Sequence, residues 1–126
     1  MKGFIEFFLL SLGAIAGAFL RYKITLSPSI FGIIGSNVLI VNIIGSFILG
    51  VFSVFSVSLN LDPKYTFLIA IGFCGSLTTM SSFALESIIM FENNQFLQMV
   101  VNIISNVILS FFFLYIGRII TVQLLR

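Results

Sequence analysis

The stretch GFCGSLTTMSSFALE, residues 72–86, decides the fold of this chain. It sits inside a segment long and apolar enough to cross a bilayer, yet it puts Gly, Cys, Ser and Thr where a lipid-facing helix takes Leu. Gly72, Gly75 and the Ser-Leu-Thr-Thr that follows are poor helix formers in succession, which predicts a helix broken near residues 75–79. Backbone that leaves the helix at membrane depth is tolerated only where it is buried in protein or lines a cavity. Such a break also frees carbonyl oxygens that can hold a hard cation such as Na⁺, as unwound segments of transporters do. Met80 and Phe83 stand three apart beyond the break and share a face if the helix resumes. On its own, that pair reads as ordinary core packing.

Working outward, 60% of the 126 residues are hydrophobic and 8% are charged, an apolar content far above that of an ordinary soluble domain. The expectation is an all-α integral membrane protein of one domain, residues 1–126, with four spans near 4–24, 31–59, 65–91 and 95–125. Connectors are brief: SPS at 27–29, LNLDPKY at 59–65 and ENNQ at 92–95. The N-terminal segment begins with a Lys and an apolar run, but it ends in Phe-Leu-Arg-Tyr rather than a small-residue cleavage site, so it reads as the first span and not a signal peptide. Cys74 is the single cysteine and histidine is absent, which leaves disulfide frameworks, thiol–disulfide chemistry and the usual zinc or haem ligand sets without material and acid–base or nucleophilic catalysis poorly supplied. A net charge of +2 with no basic run gives no footing for nucleic acid.

Orientation follows Lys and Arg near the span ends. Lys2, Lys64, Arg118 and Arg126 belong to one side and Arg21 and Lys23 to the other, a slight bias that permits insertion both ways round and hence an antiparallel dimer without requiring one. Four short helices enclose little alone, so a pathway calls for two copies. Gly13 with Gly17, and Ser46 with Gly50, place small residues one turn apart and let backbones approach.

Polar groups inside the bilayer are costly unless paired or wetted. Arg21 either snorkels to the interface or shapes an aqueous vestibule, Lys23 reads as an interface anchor, and Glu86 lies deeper than Glu6 and Glu92. Asn42 sits mid-span with Ser46 one turn on, as interhelical glue or as a pathway group. Asn102, Asn106 and Ser110 recur every fourth residue, which predicts a wetted face or a track of hydrogen-bond donors.

The order GAIAGAFLRY, NVLIVNIIGSFILG and GFCGSLTTMSSFALE resembles the Fluc (CrcB) family of fluoride channels over essentially the whole chain. The resemblance implies an antiparallel, dual-topology dimer with two fluoride pathways and a central structural Na⁺ held by the backbone carbonyls of Gly75 and Thr78 from both subunits. It matches Asn42 to the pore asparagine, Phe83 to the second of two phenylalanines whose ring edges face the ion, and Ser110 to the fourth-span serine. Arg21 and Glu86 match the first-span arginine and the acidic residue after the third motif, Ser81 and Ser82 lie along the polar lining, and Asn106 counts among the vestibule or structural polar groups. Two departures stand out: Met80 occupies the place of the first pore phenylalanine, and Val38 that of a threonine near the pathway. Either the variant is tolerated in a homodimer, or the chain is one member of a heterodimer whose partner supplies the missing groups.

The implied activity is passive fluoride export across the cytoplasmic membrane of a prokaryote, with fluoride and membrane lipid as the partners. A four-span multidrug exporter is the nearest rival, but such proteins carry a proton-exchanging carboxylate at the middle of the first span, where this chain has SLGAIAGAF. A structural or accessory membrane subunit is the second; it predicts that the protein reconstituted alone passes no ion.

Overall fold

A computed structural model describes residues 2–28 and 36–126. Their regular structure is helical throughout: α1 (Lys2–Leu26), α2 (Ser36–Ser58), a single turn α3 (Lys64–Thr66) running into a π-helix (Phe67–Cys74) and a further turn α4 (Gly75–Leu77), then α5 (Met80–Glu92) and α6 (Phe96–Leu124). Among the described residues four segments are long and apolar enough to cross a membrane: Gly3–Leu26, Asn37–Ser58, Lys64–Glu92 and Phe96–Leu124. Each overlaps one of the spans expected from the sequence; residues 31–35 at the expected start of the second span, and Ser29 of the SPS connector, lie outside the described residues. The two other connectors turn on Asn60 and Asn94, both in the left-handed region at φ 47° and 59°, which asparagine tolerates better than most side chains.

The third span is broken, but not by its glycines. Gly72 lies in the π-helix and Gly75 keeps helical angles of φ −64° and ψ −30°. The extended residues are Thr78 (φ −75°, ψ 153°) and Thr79 (φ −149°, ψ 113°), so the interruption is confined to that pair, inside the range 75–79 expected for it. Gly72 serves another purpose. A Cβ placed on it would come 2.7 Å from the carbonyl oxygen of Leu10, and Cβ atoms on Gly13 and Gly17 of α1 would run into the carbonyls of Leu68 and Phe73. These glycines let α1 lie backbone against backbone along the π-helix, the close approach that small residues permit in membranes. The same device joins α2 to α6: a Cβ on Gly117 would sit 2.5 Å from the Phe47 carbonyl, and one on Gly50 would strike the carbonyl of Leu114.

Helix α2 is the most enclosed element, and Val38, Val41, Phe52 and Val54 on it are buried together with Leu77 from the third span. Helices α1 and α6 turn most of their apolar surface outward, including Phe4, Phe8, Ile15, Phe111 and Phe112. Large exposed apolar side chains on a helix of spanning length fit contact with lipid or with another apolar chain. Lys23 stays exposed, its ammonium 5.6 Å from the centre of the Phe19 ring, consistent with anchoring at an interface.

The glycine contacts give a direct test. Gly17→Ala drives a methyl group into the backbone of the third span, and overpacking of this kind costs about 1–3 kcal/mol. The unfolding temperature of the purified protein in detergent is expected to fall. Gly3→Ala, where nothing lies within 4 Å of the added carbon, leaves it unchanged.

Candidate functional site

The extended angles at Thr78 and Thr79 end one helix and start another in the middle of a span. The last carbonyls of the ending helix and the first N–H groups of the new one lose their helical partners there. Cys74 O is satisfied by both the N–H and the hydroxyl of Thr78, each at 3.0 Å. Thr79 caps α5: its Oγ1 accepts from the Ser82 N–H at 3.2 Å and donates to the Ser82 hydroxyl at 3.0 Å, with the Ser81 Oγ 3.3 Å away. The peptide of Thr79 itself is met from another helix. Asn42 on α2 accepts the Thr79 N–H at 2.8 Å and turns its own amide nitrogen toward the Thr79 carbonyl at 3.4 Å. An asparagine side chain here fills the role of a missing peptide group.

Beyond Asn42 the polar groups continue inward. Its amide nitrogen donates to Asn106 Oδ1 at 2.8 Å, and Asn106 in turn donates to Asn102 Oδ1 and to the Asn102 carbonyl, both at 3.0 Å. Asn102 donates to the Ser87 hydroxyl at 3.1 Å. Asn102 and Asn106 are 0% and 5% exposed, so the fourth-span stripe is not a wetted face at these two positions. They hydrogen-bond within the bundle because α2 and α5 close over them. Ser110, one turn further, is the member of the stripe that stays partly exposed.

Two grooves flank the break. One, of ≈ 350 Å³, is lined by Asn42, Ser46, Gly75, Thr78, Met80, Phe83 and Ser110 among others, and its wall is overwhelmingly apolar carbon. The other, of ≈ 500 Å³, is lined by Arg21, Val38, Ser81, Ser82 and Glu86. The sequence-derived residues therefore separate into two sets, and Ser81 and Ser82 belong with Arg21 and Glu86 rather than with Asn42 and Phe83. Consecutive helical residues point about 100° apart, so Ser81 and Ser82 cannot share the face of Met80 and Phe83. Thr79 stands between the sets, 5% exposed, lining the first groove and bonded to both serines of the second. Glu86 and Arg21 share a groove without an ion pair, and Glu86 Oε2 is buried without a hydrogen-bond partner.

Two residues escaped the reading of the sequence in any particular role. Thr79 carried a local signal, a hydroxyl residue three before Ser82 at a helix start. Ser87 carried none, since nothing in the chain marks that it faces Asn102.

Near the break the available donors are neutral: carbonyls, hydroxyls and a side-chain amide. Among the described residues no group of three His, Cys, Asp or Glu side chains gathers to hold a metal. The carbonyls of Gly75, Ser76 and Leu77 lie in the last turn before the break, where helical partners run out. Such oxygens suit a hard, weakly demanding cation.

Comparison with known proteins adds a family to this geometry. The model of the CrcB-like protein family (camphor resistance, CrcB) matches residues 8–118. The chain is 59% identical over 110 residues to the fluoride-specific ion channel FluC of Nitrosopumilus maritimus, covering 87% of this chain and 86% of that protein. It is 40% identical over 122 residues to the protein of the same name from Methanococcus aeolicus, covering 96% and 98%, and 42% identical over 109 residues to that of Koribacter versatilis, covering 82% and 85%.

The capping geometry of Thr79 predicts a difference between two near-isosteric changes. Thr79→Val removes the oxygen that receives the Ser82 N–H, a loss worth about 0.5–2 kcal/mol at an N-cap. Faster amide exchange at Ser82 and a lower unfolding temperature are expected. Thr79→Ser keeps the oxygen and should hold both values close to those of the native protein.

Proposed function

The chain belongs to the CrcB family, and from that premise we propose that it is a passive fluoride channel whose conducting unit is an antiparallel homodimer, with a pathway along the groove of Asn42, Phe83 and Ser110. The observation that carries this reading is the composition of that groove: a few neutral donors set in an apolar wall beside a broken helix. Transfer of an isolated ion from water into a medium of low dielectric costs on the order of tens of kcal/mol, so a fluoride pathway has to replace lost water with other donors. Asn42 offers amide hydrogens, Ser110 and Ser46 offer hydroxyls, and the electropositive ring edge of Phe83 adds a weak attraction. None of these carries a full charge, so the ion is held loosely enough to leave. Chloride is larger and accepts hydrogen bonds less strongly, and a narrow groove of this kind disfavours it.

Three further features support the dimer. A single chain encloses the groove only in part, α1 and α6 expose long apolar faces, and Lys and Arg near the span ends favour one side only slightly. In the proposed dimer the carbonyls of Gly75 and Thr78 from the two subunits hold a structural Na⁺. The donor set fits: hard neutral oxygens at a helix break, two from each chain, with no carboxylate required. When bound, the ion supplies a fixed positive charge between the subunits and ties the two breaks together. Arg21 lines the second groove, where its charge draws anions toward the mouth of the pathway.

In acidic surroundings fluoride is protonated to neutral HF, which crosses the membrane, loses its proton in the less acidic interior and is trapped there as the anion. A channel in the cytoplasmic membrane lets the inside-negative potential drive it out, and no coupling to another ion is needed. Met80 favours one variant of the reading. It stands at the rim of the groove, 75% exposed, with a flexible thioether that fills volume without a ring edge. A heterodimer with a second family member would supply the missing ring.

Fluoride efflux from liposomes holding the purified chain alone tests the proposal, with the voltage set by valinomycin and K⁺. Fast fluoride efflux with chloride retained is expected, and Asn42→Asp should slow it by about tenfold or more, each tenfold being about 1.4 kcal/mol of barrier. A folded, dimeric preparation that passes no fluoride would sink the homodimeric channel. Recovery on adding a second family member would then identify the heterodimer. Replacing Na⁺ by a large organic cation throughout purification should lower efflux and dimer stability together, and equal rates without Na⁺ would remove the ion from the proposal.

A further inference from the structure

The buried polar groups around Asn42 have a property that no single bond reveals: they form a chain with one direction. The Thr79 N–H donates to Asn42 Oδ1, Asn42 Nδ2 to Asn106 Oδ1, Asn106 Nδ2 to Asn102 Oδ1, Asn102 Nδ2 to Ser87 Oγ, and the Ser87 hydroxyl to the Phe83 carbonyl at 2.9 Å. A backbone donor that cannot reverse begins the chain, and a backbone acceptor that cannot reverse ends it. Each asparagine amide has one oxygen and one NH₂. Turning Asn42 or Asn106 would set oxygen against oxygen on one side and N–H against N–H on the other; turning Asn102 would set N–H against N–H toward Asn106 and oblige the Ser87 hydroxyl to leave the Phe83 carbonyl in order to donate to Asn102. The members beyond Asn42 are 5% exposed or less, so bulk water does not reach them and a lost partner is costly.

We propose that Ser87, Asn102 and Asn106 are positioning residues, a one-way relay that fixes the side-chain amide of Asn42 and the start of α5 around Phe83 in the orientation the fluoride pathway uses. The inference rests on the pathway reading above. The relay begins at the residue before α5 and ends one turn inside it, after passing through α2 and α6. It thereby ties the two sides of the groove to each other through the interior of the bundle. It also sorts the two amide hydrogens of Asn42. One is committed to Asn106 at 2.8 Å, and the other reaches the Thr79 carbonyl only at 3.4 Å. The loosely held hydrogen is the one Asn42 can hand to a passing anion, and the relay is what keeps it on the groove side. On this view Asn102 and Asn106 do not meet fluoride themselves.

The test compares Ser87→Ala, which removes both the acceptor for Asn102 and the donor to Phe83, with Ser87→Thr, which keeps the hydroxyl. The full chain is reconstituted in liposomes, and fluoride efflux and the fluoride-to-chloride permeability ratio are read for dimeric protein of native size. Wild-type efflux is read first, and its absence counts against the channel reading rather than against the relay. With an active wild type, Ser87→Ala is expected to slow fluoride by roughly tenfold and to lower the permeability ratio, while Ser87→Thr restores both. A folded Ser87→Ala protein with native rate and ratio overturns the relay, and so does a Ser87→Thr protein as impaired as the alanine variant. If Ser87→Ala does not fold, hydrogen exchange at the side-chain amides of the wild type decides. Those of Asn102 and Asn106 are expected to exchange far more slowly than that of exposed Asn60, and equal exchange overturns the proposal.

Discussion

One constraint governs this chain: a peptide group released from its helix inside a membrane has to find a partner in the protein, because the hydrocarbon around it offers none. The peptide groups on either side of Thr79 are in that position, and Asn42 partners both, accepting the Thr79 N–H and reaching toward the Thr79 carbonyl. A buried donor left without an acceptor costs about 1–3 kcal/mol. The break in the third span is therefore affordable only with α2 at its present height and rotation. Once α2 is set in this way, α6 must lie where Asn106 can receive the remaining amide hydrogen, and α5 must lie where Ser87 can receive Asn102.

The apolar packing is arranged to allow that register. In a bilayer there is little hydrophobic gain in moving one greasy helix from lipid to protein, so close van der Waals contact and polar pairing decide which faces meet. Gly50 and Gly117 bring the backbones of α2 and α6 together, and Gly13, Gly17 and Gly72 do the same for α1 and the third span. Bulky apolar residues are left on the outside, where Phe and Ile of α1 and α6 are exposed. The result inverts the pattern of a soluble domain, with much of the hydrogen bonding at the centre and aromatic surface around it.

That inversion explains which parts were legible in the sequence. Span number and approximate limits follow from the length of uncharged apolar runs, and residues 65–91 against Lys64–Glu92 differ by one residue at each end. The break was legible as a region but not as a residue, because glycine has two uses in a membrane helix. Gly72 and Gly75 read as breakers, yet both are helical, and Gly72 is spent on close contact with Leu10. The extended pair is Thr78 and Thr79, whose hydroxyls can satisfy the backbone that they disturb. The stripe of Asn102, Asn106 and Ser110 was legible as a face, but a period of four does not say what the face meets. Only the position of α5 and α2 shows that two of the three are enclosed. Ser81 and Ser82 were grouped with Asn42 by their place in a motif, while helical rotation turns them toward Arg21 and Glu86.

The arrangement also bears on how a neutral site can select an anion without trapping it. A charged ligand close to the path would hold fluoride tightly and release it slowly, whereas free hydroxyls and amides in an apolar groove would reorient for ions of several sizes. A donor whose direction is imposed from behind avoids both outcomes. Asn42 cannot turn to follow a larger ion, since its oxygen is held by the Thr79 N–H and one of its hydrogens by Asn106. In the proposed pathway, its weakly engaged hydrogen would pass from the Thr79 carbonyl to an arriving anion with little rearrangement. On that proposal the energy difference between the empty and occupied states would stay small for an ion that fits and grow for one that does not, and that is the balance conduction with selectivity demands.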